Sequence, residues 1–306
     1  MKLYTIETGF FKLDGGAMFG VVPKTIWNKL NPADENNLCD WAMRCLLIED
    51  GEKLILIDNG IGDKQDAKFM GHYYLHGDDS LDKSLAKHGF HRDDITDVFL
   101  THLHFDHCGA SIIRNGEKLV PAFKNANYWS NADHWKWATE PNDREKASFL
   151  MENILPIKES GQLKMIAGQM LADDQLSMTK KQITPNGAQR PSAIELRPSK
   201  IIDSLSIRFV NGHTNAMMLP QISYKGKTIV FMADLLPSVG HIPIPYVMAY
   251  DMFPLTSLNE KKSFLDQALS EDYILFFEHD PKNECCSLQQ TERGIRSKEI
   301  FRLSEI

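Results

Sequence analysis

The sequence predicts an α/β fold whose buried strands carry polar residues at their carboxyl ends. The chain has 306 residues, of which 42% are hydrophobic, and this is enough for a large core. Short apolar runs bounded by turn residues alternate with amphipathic stretches, as expected when strands alternate with helices. Several of the apolar runs end in histidine or aspartate, at the position where α/β sheets commonly place their functional sites.

The elements of the first half follow from these patterns in order. The Gly-rich run Asp14–Gly20 is predicted to be a turn, because its glycines lack the spacing of a phosphate-binding loop. Met43–Asp58 has apolar arms on both sides of an Asp-Gly pair, which predicts a β-hairpin. Ser80–His88 has leucines four residues apart and is predicted to be a short helix. Further along, we predict a strand at Ala126–Trp129 and a helix at Arg144–Leu155.

The second half repeats the strand pattern. A polar segment at about 130–200 is predicted to be a cap-like insertion within a single domain, 1–306, that begins with an N-terminal segment. A helix is predicted at Leu258–Leu269, with Ser257 and Glu260 forming a capping box at its start. The predicted strands of this half are Ser206–Val210, Gln221–Tyr224, Thr228–Ala233 and Tyr273–Glu278.

The densest cluster of chemically active side chains lies at Thr101–His107. His102 and His104 follow the apolar stretch Val98–Leu100, and the alternation of a strand points them to the same side. Asp106 and His107 come after a turn and can point back to the same place. Imidazoles and carboxylates at this density suit a divalent metal such as zinc, iron or manganese. We therefore predict a metal site here.

Three later residues have the same setting. His213 follows one strand-like run, Asp234 ends a second and His279 ends a third. Each alone is more typical of an ordinary strand end, but together with the first cluster they make seven candidate ligands.

This set resembles the metallo-β-lactamase superfamily, whose His-x-His-x-Asp-His signature is complete here. The resemblance extends from about Cys45 to Asp280 and includes the family's first motif, Leu56–Gly60, in which Asp58 is expected to be structural. It implies a four-layer αβ/βα sandwich of two mixed sheets flanked by helices.

Residue by residue, the resemblance implies a dinuclear site. One metal would be bound by His102, His104 and His213, the other by Asp106, His107 and His279, and Asp234 would bridge them. A hydroxide between the metals would be the nucleophile, and Asp106 would also accept or relay a proton. The expected cofactors are two divalent ions, with zinc favoured and manganese, iron or cobalt also suited to these ligands.

The resemblance favours a metal-dependent hydrolase acting on a lactone or another carboxylic ester, since the compact signature and Asp234 are similar to those of acyl-homoserine lactonases and methyl-parathion-hydrolase-like enzymes. Such lactonases often have a tyrosine three residues after the bridging aspartate, where this chain has Pro237. His241 is predicted to donate to an oxyanion instead, and is thus a second catalytic candidate beside Asp106. Tyr246 and Tyr250 are weaker candidates.

Other activities of the fold remain open at this stage. A phosphotriesterase or arylesterase would use the same metals, and a glyoxalase II-like thiolesterase would also retain the bridging aspartate. A persulfide dioxygenase would keep the histidines but bind a single iron, so that a count of bound metals distinguishes it.

Composition limits the expected partners and location. A net charge of −7 and a pI of about 5.9 disfavour nucleic acid and anionic membranes as partners. The start of the chain lacks a signal-peptide core, and the five cysteines form no Cys-x-x-Cys pair, so we expect a cytoplasmic protein with reduced thiols. The expected partner is a small-molecule ester or lactone, and a homodimer is compatible with the sequence.

Overall fold

The computed structural model describes residues 1–166, 196–198 and 201–306, and these build two large mixed sheets. In spatial order the strands of the first sheet are β1 (Lys2–Asp14), β2 (Leu38–Asp50), β3 (Lys53–Ile57), β4 (Asp97–Phe99), β7 (Asn127–Asn131) and β8 (Leu163–Ile166). Neighbouring strands pair antiparallel from β1 to β3 and parallel from β3 to β8. A separate hairpin consists of β5 (Ile112–Asn115) and β6 (Lys118–Pro121).

In spatial order the strands of the second sheet are β15 (Gly294–Phe301), β14 (Cys285–Thr291), β13 (Ile274–Phe276), β12 (Lys227–Phe231), β11 (Met217–Tyr224), β10 (Leu205–Val210) and β9 (Leu196–Pro198). This sheet is antiparallel except between β12 and β13, which pair in parallel. The described helices are α1 (Gly15–Phe19), α2 (Lys24–Trp27), α3 (Ala67–Gly71), α4 (Leu81–Lys87), α5 (Phe105–Cys108), α6 (Ala132–Thr139), α7 (Met151–Glu159) and α8 (Pro254–Ser270).

The alternation of side chains along β3 explains how the layers stack. Ile55 and Ile57 join the core between the two sheets, whereas Leu54 and Leu56 join the core under α4, α6 and α7. On the far side, Phe264 of α8 packs into the core of the second sheet. The resulting order of helices, sheet, sheet and helix is the predicted four-layer sandwich. No helix of the described residues is both long and apolar enough to cross a membrane.

Several predicted elements are confirmed, and three differ. The β2–β3 hairpin and α4, capped by Ser80, lie where the sequence predicts them. The Asp14–Gly20 turn is instead the short helix α1, because the Asp14 side chain accepts a hydrogen bond from Ala17 N and caps its start. The helix predicted at Arg144–Leu155 begins only at Met151.

The late start of α7 has a local cause. Asn142 Oδ1 accepts hydrogen bonds from the backbone N–H groups of Arg144 and Glu145, at 2.9 and 3.1 Å, and this holds the chain in a turn. The third difference concerns α8, which begins one turn early at Pro254, a residue whose fixed φ suits the first helical position. The capping box was therefore wrong: Ser257 lies inside the helix, and Glu260 accepts bonds from another loop.

The predicted cap-like insertion divides into two parts. Residues 130–166 belong to β7, α6, α7 and β8, so they continue the first sheet and its helix layer. The remainder of the predicted cap, 167–195 and 199–200, lies outside the described residues. All five cysteines are buried and free.

Candidate metal centre

The seven predicted side chains meet at one edge of the sandwich. The signature residues follow β4 and form α5, His213 follows β10, Asp234 follows β12 and His279 follows β13. All seven are almost completely buried, with at most 9% of any residue exposed. Four separate loops thus place their polar residues at one point, as the sequence predicts.

The first group contains His102, His104, His213 and Asp234. His104 Nδ1 lies 3.0 Å from His102 Nε2 and 3.2 Å from His213 Nε2. Asp234 Oδ2 lies 3.0 Å from His213 Nε2. The four potential ligand atoms all lie within 4.8 Å of one another, which is close enough for one cation to contact all of them.

The second group contains Asp106, His107 and His279. The Nε2 atoms of His107 and His279 lie 3.2 Å apart, and Asp106 Oδ2 lies 3.8 and 3.9 Å from them. Asp234 connects the two groups, because its other oxygen, Oδ1, lies 3.0 Å from His279 Nε2. One oxygen of Asp234 therefore faces each group.

The donor set fits divalent cations. Within the first group, three imidazole nitrogens face one another, and hydrogen bonds among themselves cannot satisfy all three. Asp234 Oδ1 is buried and accepts no well-directed hydrogen bond. A cation shared by these atoms would satisfy the nitrogens and the carboxylate together. Imidazole with carboxylate is a ligand combination that zinc, iron and manganese accept.

The nitrogen on the far side of each imidazole is held by an acceptor, which turns the other nitrogen toward the centre. These contacts are His102 Nδ1 to Thr101 Oγ1 at 3.1 Å, His104 Nε2 to Glu145 Oε1 at 3.0 Å, His213 Nδ1 to Asp251 Oδ1 at 2.9 Å, His107 Nδ1 to Asp58 Oδ2 at 3.1 Å, and His279 Nδ1 to Ala42 O at 2.8 Å. Glu278 Oε2 also lies 3.0 Å from His107 Nδ1 but accepts no well-directed hydrogen bond. The chain thus sets the orientation of all five rings before any ion binds.

Glu145, Asp251 and Glu278 also belong to the candidate site, although they were not predicted from the sequence. Glu145 and Asp251 come from loops far along the chain from the histidines they contact, and no spacing rule relates them. Glu278 had a signal, because it is a charged residue in an apolar strand directly before His279.

The electrostatics of the centre favour positive charge. Burial alone would lower the pKa of His213, but Asp234 and Asp251 raise it to about 10. Burial likewise opposes protonation of His279, yet Asp234 and Glu278 raise its pKa to about 9. Conversely, burial would raise the pKa of Asp234, but the surrounding histidines hold it well below its usual value. The ionised carboxylates thus create a field that attracts cations, and metal binding would displace protons from these rings.

Two structural carboxylates hold the ligand loops in place. Asp58 accepts from Thr101 N at 2.8 Å and from Thr101 Oγ1 at 2.6 Å, which anchors the signature loop and agrees with the structural role expected of it. Glu260 of α8 accepts from the backbone N–H groups of Asn211 and Gly212, at 2.8 and 2.9 Å, and so anchors the loop of His213.

A cavity of about 420 Å³ opens onto both groups. His104, Asp106, His213, Asp234 and His279 lie along it. Its apolar lining comes from Leu13, Ala17, Met18, Phe105, Ala147, Met248, Ala249 and Met252, and its other polar residues are Tyr73, Arg144, Glu145, Ser148 and Tyr250. The volume and the mixed lining suit a small organic molecule with an apolar part.

The structure does not place His241 on this cavity. Its ring is 1% exposed, with Nε2 2.9 Å from Met18 O and Nδ1 2.8 Å from Ser238 Oγ, and it stacks on Phe19. Neither nitrogen is left for a substrate, so we now propose that His241 supports the cavity wall and takes no part in catalysis. Tyr246 is also absent from the cavity lining, whereas Tyr250 is part of it.

A supporting role for His241 predicts a specific pH dependence. Burial lowers its pKa to about 3, so the unfolded chain, with an ordinary value near 6.5, takes up the proton first on acidification. The stabilisation from neutral His241 is complete above pH 6.5 and declines below it. Relative to His241→Gln, the wild type should lose about 2 kcal/mol of unfolding free energy between pH 7.5 and 5.

Denaturant unfolding of both proteins at the two pH values measures this difference, and any release of metal on acidification affects both alike. The number of bound divalent ions should be equal in the two proteins at pH 7.5. A stability difference that does not change with pH would contradict the assignment.

Comparison with known sequences decides the family. Residues 44–279 match the metallo-beta-lactamase superfamily, and this match covers most of the chain. The chain belongs to the metallo-beta-lactamase superfamily. As a member of this superfamily with side-chain groups that could hold metal ions, it is a hydrolytic enzyme. Comparison with curated protein sequences found no match.

Solved structures of this superfamily share the fold over nearly the whole chain. A probable metal-dependent hydrolase from Staphylococcus aureus is 24% identical with a TM-score of 0.81, covering 98% of this chain and 96% of its own. AidC, a dizinc quorum-quenching lactonase with a bound product, is 20% identical with a TM-score of 0.73, covering 98% and 95%. An N-acyl homoserine lactone hydrolase with N-hexanoyl-L-homoserine at its catalytic metal centre is 20% identical with a TM-score of 0.63, covering 92% and 94%. At these identities the likeness concerns the fold.

Proposed function

We propose that this superfamily member cleaves a lactone or another carboxylic ester in a dinuclear metal site. The observation that carries the proposal is the pair of ligand groups that share Asp234 at the base of a cavity with apolar walls. Lactones bearing acyl chains combine a carbonyl for the metals with an apolar part for the walls. The product bound to each of the two lactonases of the same fold is N-hexanoyl-L-homoserine, the ring-opened form of such a lactone.

The proposed ligand assignment follows the two groups. His102, His104 and His213 would hold one ion, Asp106, His107 and His279 the other, and Asp234 would contact both. Zinc is the favoured metal, with manganese, iron and cobalt as alternatives. Two bound ions would supply a water of lowered pKa and a Lewis acid for the substrate carbonyl.

The chain's own residues would carry out the remaining steps. Asp106 lies on the cavity beside the second group, where its carboxylate can accept the proton of the attacking water and pass it to the leaving oxygen. Met18, Met248 and Met252 line the apolar side, and their flexible thioethers suit acyl groups of different shape. Packing the acyl part against this wall would orient the carbonyl toward the histidines.

The test combines elemental analysis of the purified protein with turnover of an acyl-homoserine lactone, an aryl acetate and paraoxon. Two ions per chain with lactone or ester turnover support the proposal. Two ions with paraoxon turnover alone would move the substrate to phosphotriesters, which the same ligands could serve. A single bound iron with none of these activities would overturn the proposal of ester hydrolysis and would favour a dioxygenase.

A further inference from the structure

We propose that Tyr73 donates a hydrogen bond to the substrate oxygen that gains negative charge when the carbonyl is attacked. This inference rests on the proposed ester or lactone hydrolysis, and it assigns the donor that the chain lacks at Pro237. The proton stays on the phenol throughout, so the hydrogen bond stabilises charge without a further transfer step.

The position of Tyr73 beside the metal ligands is set by its ring contacts. Its ring lies 4.7 Å from that of Phe105, the residue directly before Asp106, and 5.1 Å from that of Phe69. The side chain is half-buried and lines the cavity together with Asp106 and His279. Tyr73 therefore lies on the same cavity as the proposed reacting centre.

The backbone around Tyr73 is firmly attached to β1. Tyr73 O accepts from Lys12 N at 2.8 Å, and His76 forms a two-way bridge with Phe10 at 2.9 and 3.0 Å. The following residue, Tyr74, has a φ of 47°, a left-handed conformation that is uncommon for an aromatic residue. These contacts between β1 and the loop fix the strained turn and therefore the position of the Tyr73 phenol. A hydrogen-bond donor to a transition state needs such a fixed position.

The Tyr73 hydroxyl is available as a donor. It makes no hydrogen bond with any part of the chain that the structure describes, whereas the buried phenol of Tyr128 donates to Ser111 O at 2.9 Å. Burial, reinforced by the negative charge of Asp106, raises the pKa of Tyr73 to about 12. The phenol is consequently protonated at neutral pH, and a substrate oxygen is the partner that the cavity would bring to it.

Other polar residues on the cavity are less suited to this role. The Arg144 guanidinium is exposed and already donates to Ala249 O. Tyr250 is 42% exposed, more than the half-buried Tyr73. Ser148 lies on the turn before α7 and has a short side chain. Tyr250 is therefore the competing phenol, whereas Tyr74, which is 54% exposed and does not line the cavity, supplies the matched control.

The first experiment compares the metal-loaded wild type with Tyr73→Phe, with Tyr250→Phe as the competing phenol and with Tyr74→Phe as the control, using an aryl acetate and an acyl-homoserine lactone. Tyr73→Phe keeps the ring packing, so its melting temperature and metal content should equal those of the wild type. Its kcat should fall about a hundredfold while KM changes less than about threefold, because the bond strengthens only in the transition state. Tyr74→Phe should keep kcat within about threefold. An unchanged kcat in Tyr73→Phe, or an equal loss in Tyr250→Phe, would overturn the assignment.

A second measurement does not depend on turnover. A phosphonate monoester imitates the charged tetrahedral state, and calorimetry should show about tenfold weaker binding to Tyr73→Phe than to the wild type. If the wild type hydrolyses no ester but this tenfold difference is found, the proposed function fails, and Tyr73 is a donor to an anionic tetrahedral ligand but not to the reacting oxygen of an ester. If the wild type hydrolyses esters and both proteins bind the phosphonate equally, the role of Tyr73 fails and the proposed function stands.

Discussion

Replacing Asp106 with asparagine is expected to lower turnover about a thousandfold and to remove about one of two bound metal ions. Asp106 is 8% exposed and its Oδ2 faces the nitrogens of His107 and His279 at 3.8 and 3.9 Å. Asparagine has nearly the same shape but carries no charge, so the second group loses its own carboxylate and the proposed proton acceptor together. Elemental analysis and the rate of ester hydrolysis measure the two losses separately.

The matched control for this variant is Asp143→Asn. The Asp143 side chain is 99% exposed and, among the described residues, pairs only with Lys146, at 2.9 Å. The same chemical change there should therefore alter neither the turnover nor the number of bound metal ions. The melting temperatures of the two metal-free variants should be similar. Full metal content with an unchanged rate in Asp106→Asn would refute both roles assigned to this residue.

Replacing Gly212 with alanine is expected to destabilise the protein by about 3 kcal/mol and to weaken metal binding at the first group. A Cβ on Gly212 would lie 2.3 Å from Ser257 N, which is backbone of α8 and cannot move aside. The loop would have to shift, and the two hydrogen bonds to Glu260 and the position of His213 would change with it. Denaturant unfolding and metal titration test the two effects.

Gly71→Ala is the control for steric effects of a methyl group. A Cβ at Gly71 would meet nothing within 4 Å, so its unfolding free energy should stay within about 0.5 kcal/mol of the wild type. If Gly212→Ala were as stable as Gly71→Ala and bound metal normally, the close contact between this loop and α8 would not determine the position of His213.

Much of the candidate site could be predicted because its candidate ligands lie in short motifs or directly after recognisable strands. The signature places four side chains within six residues, and His213, Asp234 and His279 each follow a recognisable strand. His241 was chosen because it follows Asp234 on the same loop, but the structure does not place it on the cavity. Proximity along a loop does not determine the direction of a side chain, and this one turns toward Met18 and Ser238.

Helix boundaries illustrate a second limit. The pattern at Arg144–Leu155 favours a helix, but an Asn142 turn and the inward contacts of Glu145 override it. Glu145 accepts from Trp137 Nε1 at 2.6 Å as well as contacting His104. In the same way, Glu260 serves the His213 loop rather than the start of its own helix. Local residues, Asn142 and Pro254, thus set the two helix starts, while the buried carboxylates contact loops elsewhere in the chain.

The motifs of neighbouring residues were sufficient to carry a resemblance to the superfamily, and that resemblance implied the sandwich of two mixed sheets and the set of seven side chains. The packing of the loops determines which carboxylates orient the imidazoles and which phenols lie on the cavity. Glu145 contacts a histidine 41 residues away and Asp251 one 38 residues away. Such partners are chosen by how the loops pack, because a buried ring nitrogen must be paired with an acceptor from whichever element lies against it.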